Sequence, residues 1–436
     1  MREMRVMAKQ IVHADDMSWV LDPGEPFLGP VRDGGVIVAR TSPGCWGPMI
    51  TPDYPSGHEV TKPIAVDGAE VGDAIAVKVR RVRVLSLATT SGTDLPQEGH
   101  FIGDPFVAKR CPNCGTINPK TYVDGVGEGS IKCANCHSSV QPFRLESTYT
   151  VLMDVDRTLA VTVPPEVAGE IAKDASSFSF LPPSSKQYSA NLMARGEIAG
   201  IVIPLKPMVG NLGTCPAVPI PSSHNAGDFG AFLVGAPHEY ALTEEQLEMR
   251  TDGHMDINEV VEGSIVICPV KVEGGGIYVG DVHAMMGDGE IAGHTADVSA
   301  EVVLEVSLVK GLKLEGPMIL PRPEDLPQIA RLRTPEEIEK AKKIAAFWGF
   351  QLLEESLPIQ MVGTGKDLNA AVECALSRIS RLFDMPLPEV RNRCTITGEA
   401  NIGRLPGVVN VTMLVPRHDL ESHGLWNLVR SHYLSS

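Results

Sequence analysis

The chain has 436 residues, long enough for two or three domains, and its 43% apolar and 21% charged residues are those of a folded globular protein. A formal net charge of −16 repels phosphate backbones and anionic lipid, so neither nucleic-acid nor membrane binding is expected. The start, MREMRVMAKQ, lacks an apolar signal core, and no stretch approaches the roughly 20 apolar residues of a membrane helix. Four of the nine cysteines sit in CxxC pairs, which fits a reducing, cytoplasmic setting better than a disulfide framework.

The first hundred residues read as short strands between Gly and Pro turns. Within them VGDAIAVKVRRVRVL (71–85) alternates like a half-buried antiparallel strand. Strand character returns in TYTVLMDVDRTLAVTV, and PPEVAGEIAKDA (164–175) predicts a short helix opened by proline. Residues 200–235 are so rich in Gly and Pro that regular helix is excluded, and they read as loops of the kind that carry function. TEEQLEMR allows one helical turn, and SIVICPVKV, GGIYVGDVHAM and VSAEVVLEVSLV give strong strand signals. After the Pro-rich linker 315–327, Thr334 and Glu337 form a predicted capping box with Gly349 as the stop. A second amphipathic helix places Leu368, Val372, Ala375, Ile379 and Leu382 on one face, and GTGKD (363–367) turns into it. The chain thus reads as mainly β with an α+β C-terminal part. Its expected regions are 1–106 (β-rich), 107–140 (an insert), 141–312 (a β-rich catalytic core) and 313–436 (linker and α/β region).

The insert holds Cys111-Pro-Asn-Cys114, then 18 residues, then Cys133-Ala-Asn-Cys136. That spacing predicts a hairpin bringing two knuckles onto one tetrahedral zinc, a zinc ribbon. Four thiolates leave no open position for water, so the expected zinc is structural. Lys109, Arg110, Lys120 and Lys132 are offset by Asp124, Glu128 and the acidic whole, so this ribbon is not expected to bind nucleic acid.

The densest chemistry is GIYVGDVHAMMGDGEIAGHTADV, where Asp281, His283, Asp288, Glu290, His294 and Asp297 fall within seventeen residues. On a strand Asp281 and His283 share a face, and Met286-Gly-Asp-Gly can turn the chain so that the next strand returns Glu290 and His294 beside them. Such a set could hold a divalent metal or a water-activating acid–base pair, although Gly-Asp turns and a hydrogen-bonded strand histidine are the plainer explanation. Asp252, His254 and Asp256 form a second group, His58, Glu59 and Lys62 a third, and His224 with Asp228 a fourth. Cys45 and Cys215 show no histidine base nearby in sequence and read as inert thiols. Ser222-Ser223-His224 lacks the GxSxG elbow.

Taken together, VTKPIAVDGAEVGD (60–73), PLKPMVGNLGTCP (204–216), DGHMDINEVVEGSIVICPV (252–270) and GIYVGDVHAMMGDGEIAGHTADV (276–298) resemble, in order, the acetamidase/formamidase family of amide hydrolases. The resemblance implies β-sandwich and small β-barrel regions, and hydrolysis of a small linear or cyclic amide such as formamide, acetamide or a lactam. The chain departs from the commoner family pattern at His254 (asparagine there), Met286 (glutamine), Lys62 (glycine) and Gly-His-Thr-Ala-Asp (293–297). A mechanism that fits these residues gives Asp281, His283, His254 and His294 to a possible catalytic metal. Glu290, Asp256, Asp288 and His58 then become the acid–base groups, and Lys62, His224, Gly210 and Met286 the substrate-binding ones. Backbone N–H groups near Gly210 and Gly287 could form an oxyanion hole. The rival readings are a metal-dependent lyase or isomerase on the same cluster, and a non-enzymatic zinc-ribbon scaffold. The expected partners are a small amide substrate and further copies of the chain in a homo-oligomer.

Overall fold

Nine strands form the largest sheet of the computed structural model, which describes residues 9–44, 58–187, 195–226, 233–352 and 354–434. Their order is Ile11–Ala14, Val36–Thr41, Ala300–Val309, Ala74–Val84, Ile265–Pro269, Met318–Leu320, Ser356–Thr364, Val408–Pro416 and Ala400–Arg404. Apart from the parallel first pair, neighbouring strands run antiparallel. The protein is therefore mainly β, with its longer helices toward the C-terminus.

This sheet has a core on each side. Ile75, Val77, Val79 and Val302 join one apolar cluster, while Ala74, Ala76, Ile265 and Ile267 join the other. The predicted alternation of residues 71–85 therefore holds only in the second half of Ala74–Val84; Ala74–Val77 is buried on both faces. Outside, Glu301 pairs with Arg81 and Arg83, and Glu305 with Lys9 and Arg80. Exposed pairs of that kind contribute at most about 1 kcal/mol each. A buried Val or Ile contributes about 1.5–3 kcal/mol, so the inner faces set the register.

The second core is closed by Leu368–Leu382, whose buried residues are Ala371, Ala375, Leu376 and Ile379. Leu368, Val372 and Leu382 flank that face rather than centre it. Asp367 caps this helix, and the Thr334–Glu337 capping box is present on Pro335–Phe347. Pro165–Lys173 is the proline-opened helix, and residues 245–249 make a short 3₁₀ turn.

A second sheet is built around Ile277–His283, all seven residues of which are buried. It pairs with Met208–Thr214, Val60–Thr61, Ile64–Val66 and Asp297–Val298. Met208–Thr214 corrects the loop expectation for this part of residues 200–235. The segment MVGNLGT has weak strand propensity, but pairing and burial override it, and its glycines admit groups that a Cβ would displace. The hairpin after His283 also differs from expectation. The returning strand is Asp297–Val298, with Asp297 opposite His283, while Glu290 and His294 lie in the loop between.

A four-stranded sheet (Val202–Pro204, Leu159–Val163, Phe143–Met153, Ala88–Pro96) carries the cysteine hairpin, whose strands are Thr121–Val123 and Ile131–Cys133. Cys111, Ile131, Cys133 and Val140 pack with Phe143, Val163, Ala168 and Ile171, so the hairpin is seated on the body. Among the described residues, no helix is long and apolar enough to cross a membrane.

Candidate active site

The four cysteine sulfurs converge, with Cys111 Sγ 3.3 Å from Cys136 Sγ and Cys114 Sγ 3.8 Å from Cys133 Sγ. A tetrahedron of Zn–S bonds has edges of about 3.8 Å, so the donors suit that ion. The Cys114 N–H points at Cys111 Sγ, as a knuckle amide does toward a thiolate.

A second convergence is fully buried and draws on five segments. His58 precedes the strand that lies along Gly280, and Asp281 and His283 come from the central strand. His254 bridges to Asn211, Asp256 follows two residues on, and Asp297 faces His283. Asp281 Oδ2 lies 3.3 Å from both His58 Nδ1 and His254 Nε2. Asp281 Oδ1 lies 3.2 Å from His283 Nε2, which is also 3.4 Å from Asp297. Asp256 is 3.0 Å from His254 Nε2 and 3.0 Å from Arg404 Nε.

The backbone is bent to make this arrangement. Asp252, Asp256, Asp281 and Glu290 all adopt φ between 41° and 55°, a left-handed region that costs about 1–3 kcal/mol for a residue other than glycine. Three of the four, Asp256, Asp281 and Glu290, gather at this cluster, while Asp252 faces away toward Thr364 and Arg378. Gly210 sits beneath the cluster, where a Cβ would come within 2.3 Å of Asp256 Oδ1, and its carbonyl accepts the Met255 and Asp256 N–H groups. Gly44 closes the other side, its Cβ position falling on Asp281 Oδ1.

Burial disfavours every charge here, so the partners decide each state. His58 is held neutral, down to about 3, by burial that outweighs Asp281. Burial and Arg404 oppose the charge of His254, but Asp256 and Asp281 overcome them and lift it to about 9. Asp281 is driven well below the usual carboxylate range, its burial outweighed by His58 and His283. Burial and the nearby Asp256 raise Glu290 to about 8.

These residues fit a divalent cation. Asp281 Oδ2 and His58 Nδ1 are buried and have no hydrogen-bond partner among the described residues. The 3.3 Å separations match the edge of about 3.3 Å expected for a tetrahedron with Zn–N bonds of 2.0–2.1 Å. A buried carboxylate oxygen without a hydrogen bond keeps lone pairs that a cation at this point would take up. His58, His254 and Asp281 form one potential ligand trio, and Asp256, Asp281 and His283 an overlapping one.

The other sequence-derived candidates belong to neither trio. His294 pairs with Asp94. His224 pairs with Asp104. Asp288 is exposed and accepts from Asn258, Lys62 is exposed, and Met286 is half-buried. Cys215 is buried with its thiol raised to about 12, whereas Cys45 and Asp228 lie outside the described residues. Arg404 on Asp256 was missed as a site residue, and Asp297 on His283 was named in the dense cluster without a role of its own. Asp297 carried a signal as the last acid of the dense cluster; Arg404, in NIGRLP, carried none. A separate cavity of about 640 Å³ meets this segment at Asp252, but it is lined by Arg250, Lys271, Thr364 and Arg378 and holds none of the converging histidines.

A buried histidine–carboxylate cluster with a carboxylic acid raised to about 8 beside it combines metal-type donors with a proton-transfer group. The acetamidase/formamidase family profile matches residues 45–249 and 248–416, and the chain belongs to that family. It is an amidohydrolase acting on carbon–nitrogen bonds other than peptide bonds. The fold is shared with a predicted acetamidase/formamidase from Thermoanaerobacter tengcongensis, at TM-score 0.55 and 19% identity over 96% of this chain and 98% of that one. An acetamidase from Yersinia enterocolitica gives 0.52 and 15% identity over 95% and 94% of the two chains. One from Bacillus halodurans gives 0.52 and 14% over 95% and 99%. No curated protein sequence matches the chain.

Proposed function

We propose that the chain hydrolyses a small linear or cyclic amide at the buried cluster, with His58, His254 and Asp281 holding a divalent ion and Glu290 moving the proton. The carrying observation is Asp281 Oδ2, buried without a hydrogen-bond partner and 3.3 Å from two histidine nitrogens. When bound, such an ion supplies Lewis acidity toward water and the amide carbonyl. Glu290 Oε1, buried beside the cluster and without a hydrogen-bond partner among the described residues, takes the proton of the attacking water and returns it to the leaving nitrogen. Asp297 orients His283, and Arg404 keeps Asp256 ionised and in place. On this reading His58 is a ligand rather than an acid–base group.

The ribbon carries a structural zinc that stiffens the insert. Self-association is part of the same proposal. Pro335–Phe347 buries only Ala345, and Ile344, Phe347, Trp348 and Phe350 next to one another are 62%, 81%, 73% and 56% exposed, an apolar run that a second copy would cover.

Dialysis against a strong chelator, followed by assays of ammonia release from formamide and acetamide and of ring opening of a lactam, tests the reading. Activity on at least one amide is expected to vanish and to return with Zn²⁺. Full activity in protein stripped of all but the ribbon zinc, together with an inactive Glu290→Gln, contradicts the ion and leaves carboxylate chemistry alone.

A further inference from the structure

The segment Ser222-Ser223-His224-Asn225 is held through His224 by Asp104, just ahead of the ribbon, and itself holds both histidines of the proposed ion site. Ser222 Oγ donates to the His58 carbonyl at 2.6 Å. The Asn225 carbonyl accepts the His254 N–H at 3.2 Å. The Ser223 carbonyl lies 2.7 Å from His254 Nδ1. A carbonyl can only accept, so that nitrogen carries the proton. Arg404 Nη2, 3.1 Å from the same nitrogen, is then a close contact and not a second hydrogen bond. With Nδ1 protonated, the lone pair of neutral His254 sits on Nε2, the atom that faces Asp256 and Asp281.

His224 anchors the segment. Its Nδ1 is 2.9 Å from Ser223 Oγ, and its Nε2 donates to Asp104 Oδ2. Asp104 and His224 are both fully buried, and the His224 ring stands edge-on to Phe106. Asp104 is rigidly held, since its other carboxylate oxygen accepts the Phe106 N–H and its carbonyl accepts from Val107 and Ala108. Ala108 lies three residues before Cys111, and Phe106 packs in the same apolar cluster as Cys111 and Cys133. One uninterrupted series therefore runs from the first knuckle through Asp104, His224 and Ser223 to His254.

We infer that Asp104 and His224 are positioning residues for the proposed ion site, and that the ribbon, through them, fixes the tautomer and orientation of His254. The inference rests on the reading of the cluster given above. Partners that hold the second nitrogen of a ligating histidine typically change ion affinity about 10–100-fold when removed. Two variants separate this role from simple packing. Asp104→Ala removes the anchor, and His224→Phe keeps the ring against Phe106 while deleting both of its hydrogen bonds. Asp104→Asn keeps an acceptor for His224 Nε2, giving up only the hydrogen bond from the Phe106 N–H, and is the rescue control.

The test loads the full chain with Co²⁺, whose thiolate and nitrogen/oxygen sites differ in absorption, and titrates each site with EDTA. Both disruptive variants are expected to lose the nitrogen/oxygen ion about 10–100-fold more readily, with the thiolate signal unchanged. Their kcat is expected to fall at nearly constant KM, and Asp104→Asn to remain close to the parent. Should Asp104→Ala not fold, His224→Phe carries the test. Unchanged EDTA sensitivity in folded His224→Phe overturns the inference while leaving the ion site standing. A parent protein that shows only the thiolate signal overturns the ion site itself.

Discussion

Among the described residues, metal-type donors gather in two places that are built in opposite ways. At the ribbon, four donors of one kind come from two tight turns, with Cys114 exposed and Cys111 and Cys133 buried against the body. At the cluster, histidines and carboxylates of opposite charge come from four segments and Arg404 from a fifth, every one of these residues buried. Four thiolates saturate an ion, which suits stiffening. The cluster has more buried charge than its trio needs, with a spare carboxylic acid beside it, which suits chemistry.

That contrast can be broken most sharply at Glu290. Glu290→Gln is expected to lower kcat about 10²–10⁴-fold, the usual contribution of a general acid–base, while both ions stay bound. Steady-state assays with metal analysis check it; a variant that loses the second ion would make Glu290 a ligand instead. At the ribbon the effect is expected on stability before chemistry. Cys114→Ser with Cys136→Ser should release one zinc per chain and lower the melting temperature by several degrees, because Ile131 and Val140 lose the frame that packs them on Phe143. Calorimetry and zinc analysis of the same sample read both changes.

The smallest effect lies at the ribbon's edge. Arg195 joins Glu128 of the insert to Glu197. Burial opposes the charge of Glu197, but the Thr148 hydroxyl and Arg195 outweigh it and hold the carboxyl at about 2, below its ordinary 4.5. A depressed carboxylate contributes stability above its unfolded value, and that contribution is lost as pH falls through the folded one. Glu197→Gln should therefore narrow the stability gap to the parent as pH drops from 4.5 toward 2. Melting curves across that window check the convergence.

What could be read from the chain follows the range of the interactions. The cysteine pairs are local, so their spacing alone described the hairpin. Asp281 and His283 were legible as same-face neighbours because strand period is two. His58 and His254 meet over Asp281 from nearly two hundred residues apart, ring centroids 4.6 Å from each other, and no local pattern encodes that. Met208–Thr214 hid as a loop because Gly210 makes room for the carboxylates above it, and Gly213 for Gly253 and the Tyr278 hydroxyl, at the expense of strand propensity. His224 looked like a substrate residue because it stands in a Gly-rich stretch; its carboxylate partner lies 120 residues earlier. The Arg404–Asp256 pair depends on a C-terminal hairpin reaching back to the core, a purely tertiary fact.

Anomalous diffraction at the zinc edge, on crystals of protein purified without chelator, tests the central claim most directly. The account predicts two peaks per chain, one inside the four cysteine sulfurs and one between His58 Nδ1, His254 Nε2 and Asp281 Oδ2. A single peak at the ribbon, from protein with full amidase activity, would contradict it.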